Sequence, residues 1–398
     1  MTATSRSFVT STSRLGLLLL GLGTPALVAA VALDPGAGRS AAAQDWPAFV
    51  LVGGLILVGL VASETKVFEQ AGLRLAALPG GDLGRYICAV AVTGVVSAIL
   101  NLDTAALFVT PVLIQMCRSR RMNEAPMLYG CLLLSNAGSL LLPGSNLTNI
   151  IVSGHSHQSG AAFASEMAPI WAAALVVTAI VVGIAHRRDL VGLKLPLGRS
   201  PLSRITPTPA LEADRDRSLW FGLVVALIAC AAVVGLHSAA AALCVAGLGV
   251  VAVTIEIVRR RVDIGATTGA LDVPVLVGLF EIAVALGVLG REWDLPARAF
   301  AHLGTLATAG AAALASVIFN NLPAASFLAA RVPAHPYALL IGLDIGPNLF
   351  VTGSLSWFLW LRAARQAGAE PSIWHATKLG LWAAPLAIAS AVGVLAIR

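Results

Sequence analysis

The chain has 398 residues, 58% of them hydrophobic and only 12% charged, with a mean hydropathy of +0.86. Soluble domains carry about 25% charged residues, so the composition excludes a soluble protein and identifies an integral membrane protein. The net charge of +6 lies in short basic clusters between apolar runs, which mark topology rather than a nucleic-acid surface.

Residues 1–14 are Ser/Thr-rich with Arg6 and Arg14, and lead into the apolar run LGLLLLGLGTPALVAAVAL. Ala41-Ala42-Ala43 resembles a signal-peptide cleavage site, but the run is long for a signal core, so a first span at 15–33 is expected. The second span covers 46–63, with Trp46 at its interface. Residues 64–85 mix Val67, Phe68, Ala71, Leu73, Leu75 and Leu78 with Lys66, Glu69 and Arg74, the pattern of an amphipathic surface helix.

Two apolar runs follow, 86–100 and 105–117, each too short to cross. A helix rises about 1.5 Å per residue, so 15 residues reach roughly 22 Å of a ~30 Å hydrocarbon core. Between them stand Asn101, Leu102, Asp103 and Thr104, which predicts a re-entrant hairpin at 86–117 with a polar tip. The basic loop from Arg118 to Arg121 returns it to the cytoplasmic face. Residues 127–152 are long enough to span, yet are interrupted by Asn136, Pro143, Gly144, Ser145, Asn146 and Asn149. Such unwound backbone is tolerated at membrane depth only where protein buries it or it lines a cavity. A span at 167–186 closes this half, and 187–217 is a basic cytoplasmic linker.

The second half repeats the order. Spans at 218–236, 239–258 and 272–290 precede an amphipathic stretch, a hairpin at 303–332 with Asn320-Asn321-Leu322-Pro323 at its tip, a broken helix at 336–361 and a last span at 376–397. The domains expected are therefore 1–186, the linker 187–217, and 218–398. The basic loops put the two hairpins on opposite faces, giving nine spans and two hairpins with the N-terminus inside. The fold expected is an all-α polytopic membrane protein with an inverted-topology repeat, the pointer to a secondary transporter with its site at the repeat interface.

Other features argue against enzymes and metals. Cys88, Cys117, Cys131, Cys230 and Cys244 form no CxxC, so neither a zinc site nor a disulfide framework is indicated, and no cofactor is expected. There is no HExxH and no Ser/His/Asp grouping. His155 and His157 read as solvated loop residues, and His186, His237 and His375 as interfacial ones. Arg331 reads as a snorkelling flank.

The motifs NLDTAALFVTP, SNAGSLLLPGSNLTNI, SVIFNNLP and GLDIGPNLFVTGSLSWFLWL resemble the arsenical pump membrane protein family over residues 46–397. That family lies within the ion transporter superfamily, with divalent anion/sodium symporters, citrate transporters and a class of sodium/proton antiporters. The tips here depart from the Ser-Asn-Thr usual in the symporters. Glu281 departs from the neutral residue expected in arsenite permeases. The resemblance implies arsenite/antimonite efflux by proton antiport at the cell membrane. The alternatives within the superfamily are an anion symporter for citrate, dicarboxylate or sulfate, and a sodium/proton antiporter. It implies partners as well, since members often form homodimers and a soluble ATPase is the protein expected to dock on 187–217.

Arsenous acid is a small neutral triol near neutral pH, and its recognition calls for hydrogen-bonding groups around a compact pocket. Asn101, Thr104, Asn136, Ser145, Asn146, Asn320, Asn321, Gly353 and Ser354 are the substrate-binding residues expected. Asp103, Asp344 and Glu281 are the expected carriers of the coupling ion, a proton or sodium, because an ionised carboxylate at membrane depth costs about 3 kcal/mol on insertion scales.

Overall fold

The computed structural model describes residues 6–77, 81–154, 158–191, 209–236 and 238–398, and the secondary structure among them is all helical. In chain order the helices are α1 (Arg6–Leu33), α2 (Pro35–Glu64), α3 (Val67–Ala77), α4 (Asp82–Ile99), α5 (Leu102–Thr104), α6 (Thr110–Ser119), α7 (Ala125–Gly138), α8 (Leu147–Ser153), α9 (Gly160–Ala185) and α10 (Arg187–Val191). The second half holds α11 (Pro209–Gly235), α12 (Ser238–Val258), α13 (Ile264–Leu271), α14 (Val273–Glu292), α15 (Leu295–Ala301), α16 (Thr305–Phe319), α17 (Asn321–Leu328), α18 (Pro336–Ile345), α19 (Leu355–Gln366) and α20 (Ile373–Ile397). Eight described helices are long and apolar enough to cross a membrane.

The fold is an all-α polytopic membrane protein built as an inverted repeat, with two re-entrant hairpins and two discontinuous helices. In the first half, α4 and α5–α6 form the hairpin, and α7 and α8 the broken helix. In the second, α16 and α17 form the hairpin, and α18 and α19 the broken helix. Both tips turn on an asparagine with positive φ, Asn101 at 122° and Asn320 at 72°. Each asparagine accepts a hydrogen bond from the helix it starts, from the Thr104 amide at 2.7 Å and the Leu322 amide at 3.4 Å. Asparagine is among the few residues that tolerate positive φ and also cap helices well. The tips therefore share a local chemistry that the surrounding sequence does not.

α2 is the ruler of the molecule. Near its start, Gln44 donates to the Ala329 carbonyl just after α17 at 2.9 Å and to the Ile151 carbonyl of α8 at 3.1 Å. Near its end, Gly59 leaves room for Thr104 and Phe108, where a Cβ would come within 2.7 Å of the Thr104 side chain. One helix thus touches the second hairpin at one level and the first tip at another. Gln44 and Gly59 are fifteen residues apart, or about 22 Å along the axis.

Several boundaries differ from the sequence expectation. α2 begins at Pro35 rather than near 46, because Asp34 caps it by accepting from the amides of Gly36 and Ala37 at 2.7 and 3.0 Å. Those contacts also hold the exposed Asp34 carboxyl below its ordinary value, the Ala37 amide foremost. α4 begins at Asp82, not 86, its first turn carrying an Arg85–Asp82 ion pair at 3.2 Å. α11 reaches back to Pro209, inside the stretch expected as a linker, while 192–208 lie outside the described residues. So do His155, His157 and His237. His186 and His375 meet each other, Nε2 to Nε2, at 3.3 Å, with the Tyr129 ring beside both.

Two tryptophans pin the second broken helix. Trp357 and Trp360 are fully buried; their indole N–H groups donate to the Pro347 carbonyl at 2.7 Å and the Leu128 carbonyl at 2.9 Å. The second bond joins α19 to α7 across the halves. Trp360→Phe should lower stability by about 0.6 kcal/mol, the average for an interhelical hydrogen bond in a membrane. Trp360→Ala, which also opens a cavity, should cost about 3–5 kcal/mol. Thermal unfolding of the detergent-solubilised protein measures both.

Candidate functional site

The two broken helices cross and supply what each other's interrupted backbone lacks. α7 ends at Gly138, a short 3₁₀ turn follows at Pro143–Ser145, and α8 starts after the cap Asn146. α18 ends at Ile345, a 3₁₀ turn follows at Gly346–Leu349, and α19 starts after Ser354. Gly353 lies so close to Pro347 that a Cβ would sit 2.5 Å from its Cα, so only glycine lets the chain double back here.

Contacts across the halves are reciprocal. Asp344, near the end of α18, accepts from Asn146 Nδ2 at 2.9 Å and from the Thr148 hydroxyl. Asn136, near the end of α7, presents its Oδ1 to the Ser354 and Ser356 hydroxyls, each at 3.5 Å. In both cases the partners are the cap of the opposite half's second segment and the residue two positions on. Asn136 Nδ2 also donates to Asn348 Oδ1 at 2.9 Å, and Asn348 Nδ2 to the Leu133 carbonyl at 3.0 Å. All of these side chains are buried.

Other predicted residues have local tasks. The Ser145 hydroxyl accepts from the Leu142 amide at 3.1 Å and donates to the carbonyls of Leu142 and Ser139. With Asn149, which donates to the same two carbonyls at 3.0 and 2.8 Å, it satisfies the backbone freed by the break. Asn320 donates to the Thr352 carbonyl at 3.2 Å and the Asn321 amide to the Gly353 carbonyl at 2.8 Å, tying the second tip to the second break. Glu281 lies elsewhere: it accepts from Thr24 of α1 at 2.9 Å, on the α1–α14 pair and away from both tips.

The first tip is different. Asn101 Nδ2, Asp103 Oδ1 and Thr104 Oγ1 are buried and have no hydrogen-bond partner among the described residues. Immediately after them the chain makes a π turn at Ala105–Val109, a distortion that is rare and concentrates at functional sites. Asp103 and Thr104 line a cavity of about 290 Å³ with Ile56, Leu107, Phe108, Asp272, Leu355, Phe358, Arg362 and Arg365. The structure therefore separates the predicted residues into two groups. Asp103 and Thr104 reach the cavity, with Asn101 beside them, whereas Asn136, Asn146, Asp344 and Ser354 form the buried cross-link between the halves.

Sequence reasoning assigned the motifs two carboxylates and no cation. The structure adds Arg362 and Arg365, along with Asp272, which faces Arg362. Both arginines lie just past the apolar part of the last motif, and α19 carries Leu355, Phe358, Leu359 and Arg362 at helical spacing on one face. Continuing that period past Phe358 would have found the first of them. Thr148, Asn348 and Ser356 were missed because their partners are distant in sequence.

The citrate transporter family model matches residues 8–353. The chain belongs to the citrate transporter family. It is 29% identical over 380 residues to an uncharacterized transporter of Mycobacterium tuberculosis, covering 89% of this chain and 86% of that one. It is 26% identical over 349 residues to the arsenical pump membrane protein of Escherichia coli K12, covering 81% and 79%. The crystal structure of the YdaH transporter of Alcanivorax borkumensis, described as having an unusual topology, superposes with a TM-score of 0.53 at 14% identity over 97% of both chains. This citrate transporter family member is thus a multi-pass membrane transporter, and the likeness to YdaH supports the fold alone.

Asn101 offers a direct test of the tip. Asn101→Gly should be only slightly less stable than wild type, because glycine accepts the positive φ and is a fair cap. Asn101→Ala should lose about 2 kcal/mol or more, from both the cap and the strained backbone. Thermal unfolding of the three proteins checks the order.

Proposed function

We propose that the chain is a proton-coupled efflux carrier for arsenite and antimonite, and that it takes its substrate at the tip of the first hairpin. One observation carries the reading: a carboxamide donor, a carboxylate oxygen and a hydroxyl are buried together at that tip without partners among the described residues, two of these residues lining a small cavity. A neutral triol is matched by such a mixed donor and acceptor set. Asp103 is the residue assigned to carry the proton, since a carboxylate at this depth is costly unless neutralised. The arsenical pump relatives support the choice of cargo.

In this proposal residues 1–186 and 218–398 are the two repeats that move against each other, and 187–217 is the cytoplasmic linker. The N-terminus is cytoplasmic, because the basic runs at Arg118–Arg121 and Arg259–Arg261 would then share the inner face. Asp344 and Asn136 hold the halves in register rather than binding cargo. Glu281 has no part in coupling.

A second reading is favoured by a specific observation. Arg362 and Arg365 line the same cavity, and guanidinium groups suit carboxylates and oxyanions. On that reading the cargo is an anion such as citrate or sulfate.

Everted membrane vesicles distinguish the two. Arsenite and antimonite should accumulate when a proton gradient is imposed and not with sodium alone, and Asp103→Asn should reduce this at least tenfold. Citrate or sulfate uptake in place of arsenite, abolished by Arg362→Gln, would replace the first reading with the second.

A further inference from the structure

On α2, eleven residues before Ile56 of the cavity, lies a carboxylate that neither the sequence nor the reading above uses. Asp45 of α2 is 1% exposed, and neither of its oxygens has a hydrogen-bond partner among the described residues. It stands beside Ser326 of α17 and the Arg291 guanidinium of α14. That guanidinium is engaged elsewhere. Its Nη2 donates to Gln44 Oε1 at 2.6 Å and its Nη1 to the Gly287 carbonyl at 2.8 Å.

Gln44 therefore ties three elements at once. Its carbonyl oxygen holds Arg291 of α14, while its amide holds the carbonyls of Ile151 in α8 and Ala329 after α17. Movement of the second hairpin along α2 would break the bond to Ala329 and release the clamp. Arg291, which already acts electrostatically on Asp45, would then be free to turn onto it.

Few other charges reach this carboxyl: on α14, Glu281 accepts from Thr24 and Glu292 faces Asp34, and on α2 Arg39 stands nearly two turns before it. α17 presents Ser326 and no titratable side chain, and neither α8 nor α13 carries one. The described side chains of α1 supply one hydroxyl, Thr24, and no charge. On α12, Glu256 is at the far end and paired with Arg259 at 2.9 Å and Arg261 at 3.8 Å. Lys66, Glu69 and Arg74 lie beyond the far end of α2 as well. Arg331 donates to the Arg291 carbonyl and so lies behind Arg291.

We propose that Asp45 is a second proton-binding site, on the side of the second hairpin, with Arg291 as the countercharge that takes the proton's place. An ionised carboxylate buried this fully, with the Arg291 guanidinium held by Gln44 and Gly287, is too costly at this depth, so the arrangement seen here holds the neutral acid. When the hairpin shifts and Arg291 turns, the pair becomes a carboxylate and a guanidinium, and the proton leaves to water on that face. No bond other than the O–H bond is broken. This gives the carrier one titrating carboxyl beside each hairpin, Asp103 at the first and Asp45 at the second. The proposal rests on the proton-coupled reading only for the use made of the proton.

The test needs no substrate. Infrared difference spectra of the purified full-length protein, between about pH 5 and pH 9, report protonated side-chain carboxyls by their carbonyl-stretch band; a solvated carboxyl titrates near 4 and is silent there. Asp45→Asn should remove one component of that band. Arg291→Gln, which keeps the acid, should retain the component and displace its midpoint. Spectra that neither substitution alters overturn the proposal, whatever vesicles show about arsenite. A band that Asp45→Asn leaves whole and Asp103→Asn abolishes entirely also overturns it, by assigning the titration to the first hairpin alone.

Discussion

The structure depends on a constraint that the bilayer imposes: backbone left open in hydrocarbon must find a partner inside the protein. This chain breaks two helices and turns two hairpins at membrane depth. It meets the cost by crossing the breaks, so that each half supplies donors and acceptors for the other. Asp344 meets Asn146 and Thr148, while Asn136 meets Ser354, Ser356 and Asn348. Neither half could hold its broken helix open alone. The inverted repeat is therefore as much a device for satisfying polar groups as a route to alternating access.

Satisfaction is not uniform, and the difference is informative. The second tip is tied to its neighbouring break through Thr352 and Gly353. The first tip has the Thr104 amide donating to Asn101, and three of its polar atoms have no partner among the described residues. Two tips built on the same positive-φ asparagine have diverged in what lies behind it: Asp103 and Thr104 in one, Leu322 and Pro323 in the other. The polar tip faces a cavity, whereas the apolar tip packs. Symmetry set the geometry, and composition then gave one side the chemistry.

Much of the fold was legible because its signals are local. Apolar runs too short to cross, interrupted by Asn and Asp, announce hairpins, and Pro-Gly within an apolar run announces a break. The family resemblance rested on the same motifs. What was not legible was the pairing. Asn136 and Asp344 were both expected at the site, but their partners are about 200 residues away, and no local pattern says that they meet across the halves. Glu281 shows the same limit: no local pattern in its apolar span points to Thr24 of α1 as its partner.

Asp45 was overlooked for another reason, which concerns how spans are delimited. Hydropathy ends a span where polar residues begin, and Gln44-Asp45 next to Trp46 looked like such an edge. The helix in fact continues ten residues further to the cap at Asp34, so the polar pair lies within it, against α8, α14 and the end of α17. A glutamine that bonds to three helices at once cannot be an interfacial residue; it fixes the relative heights of all three. The second hairpin can move past α2 only by giving up that bond.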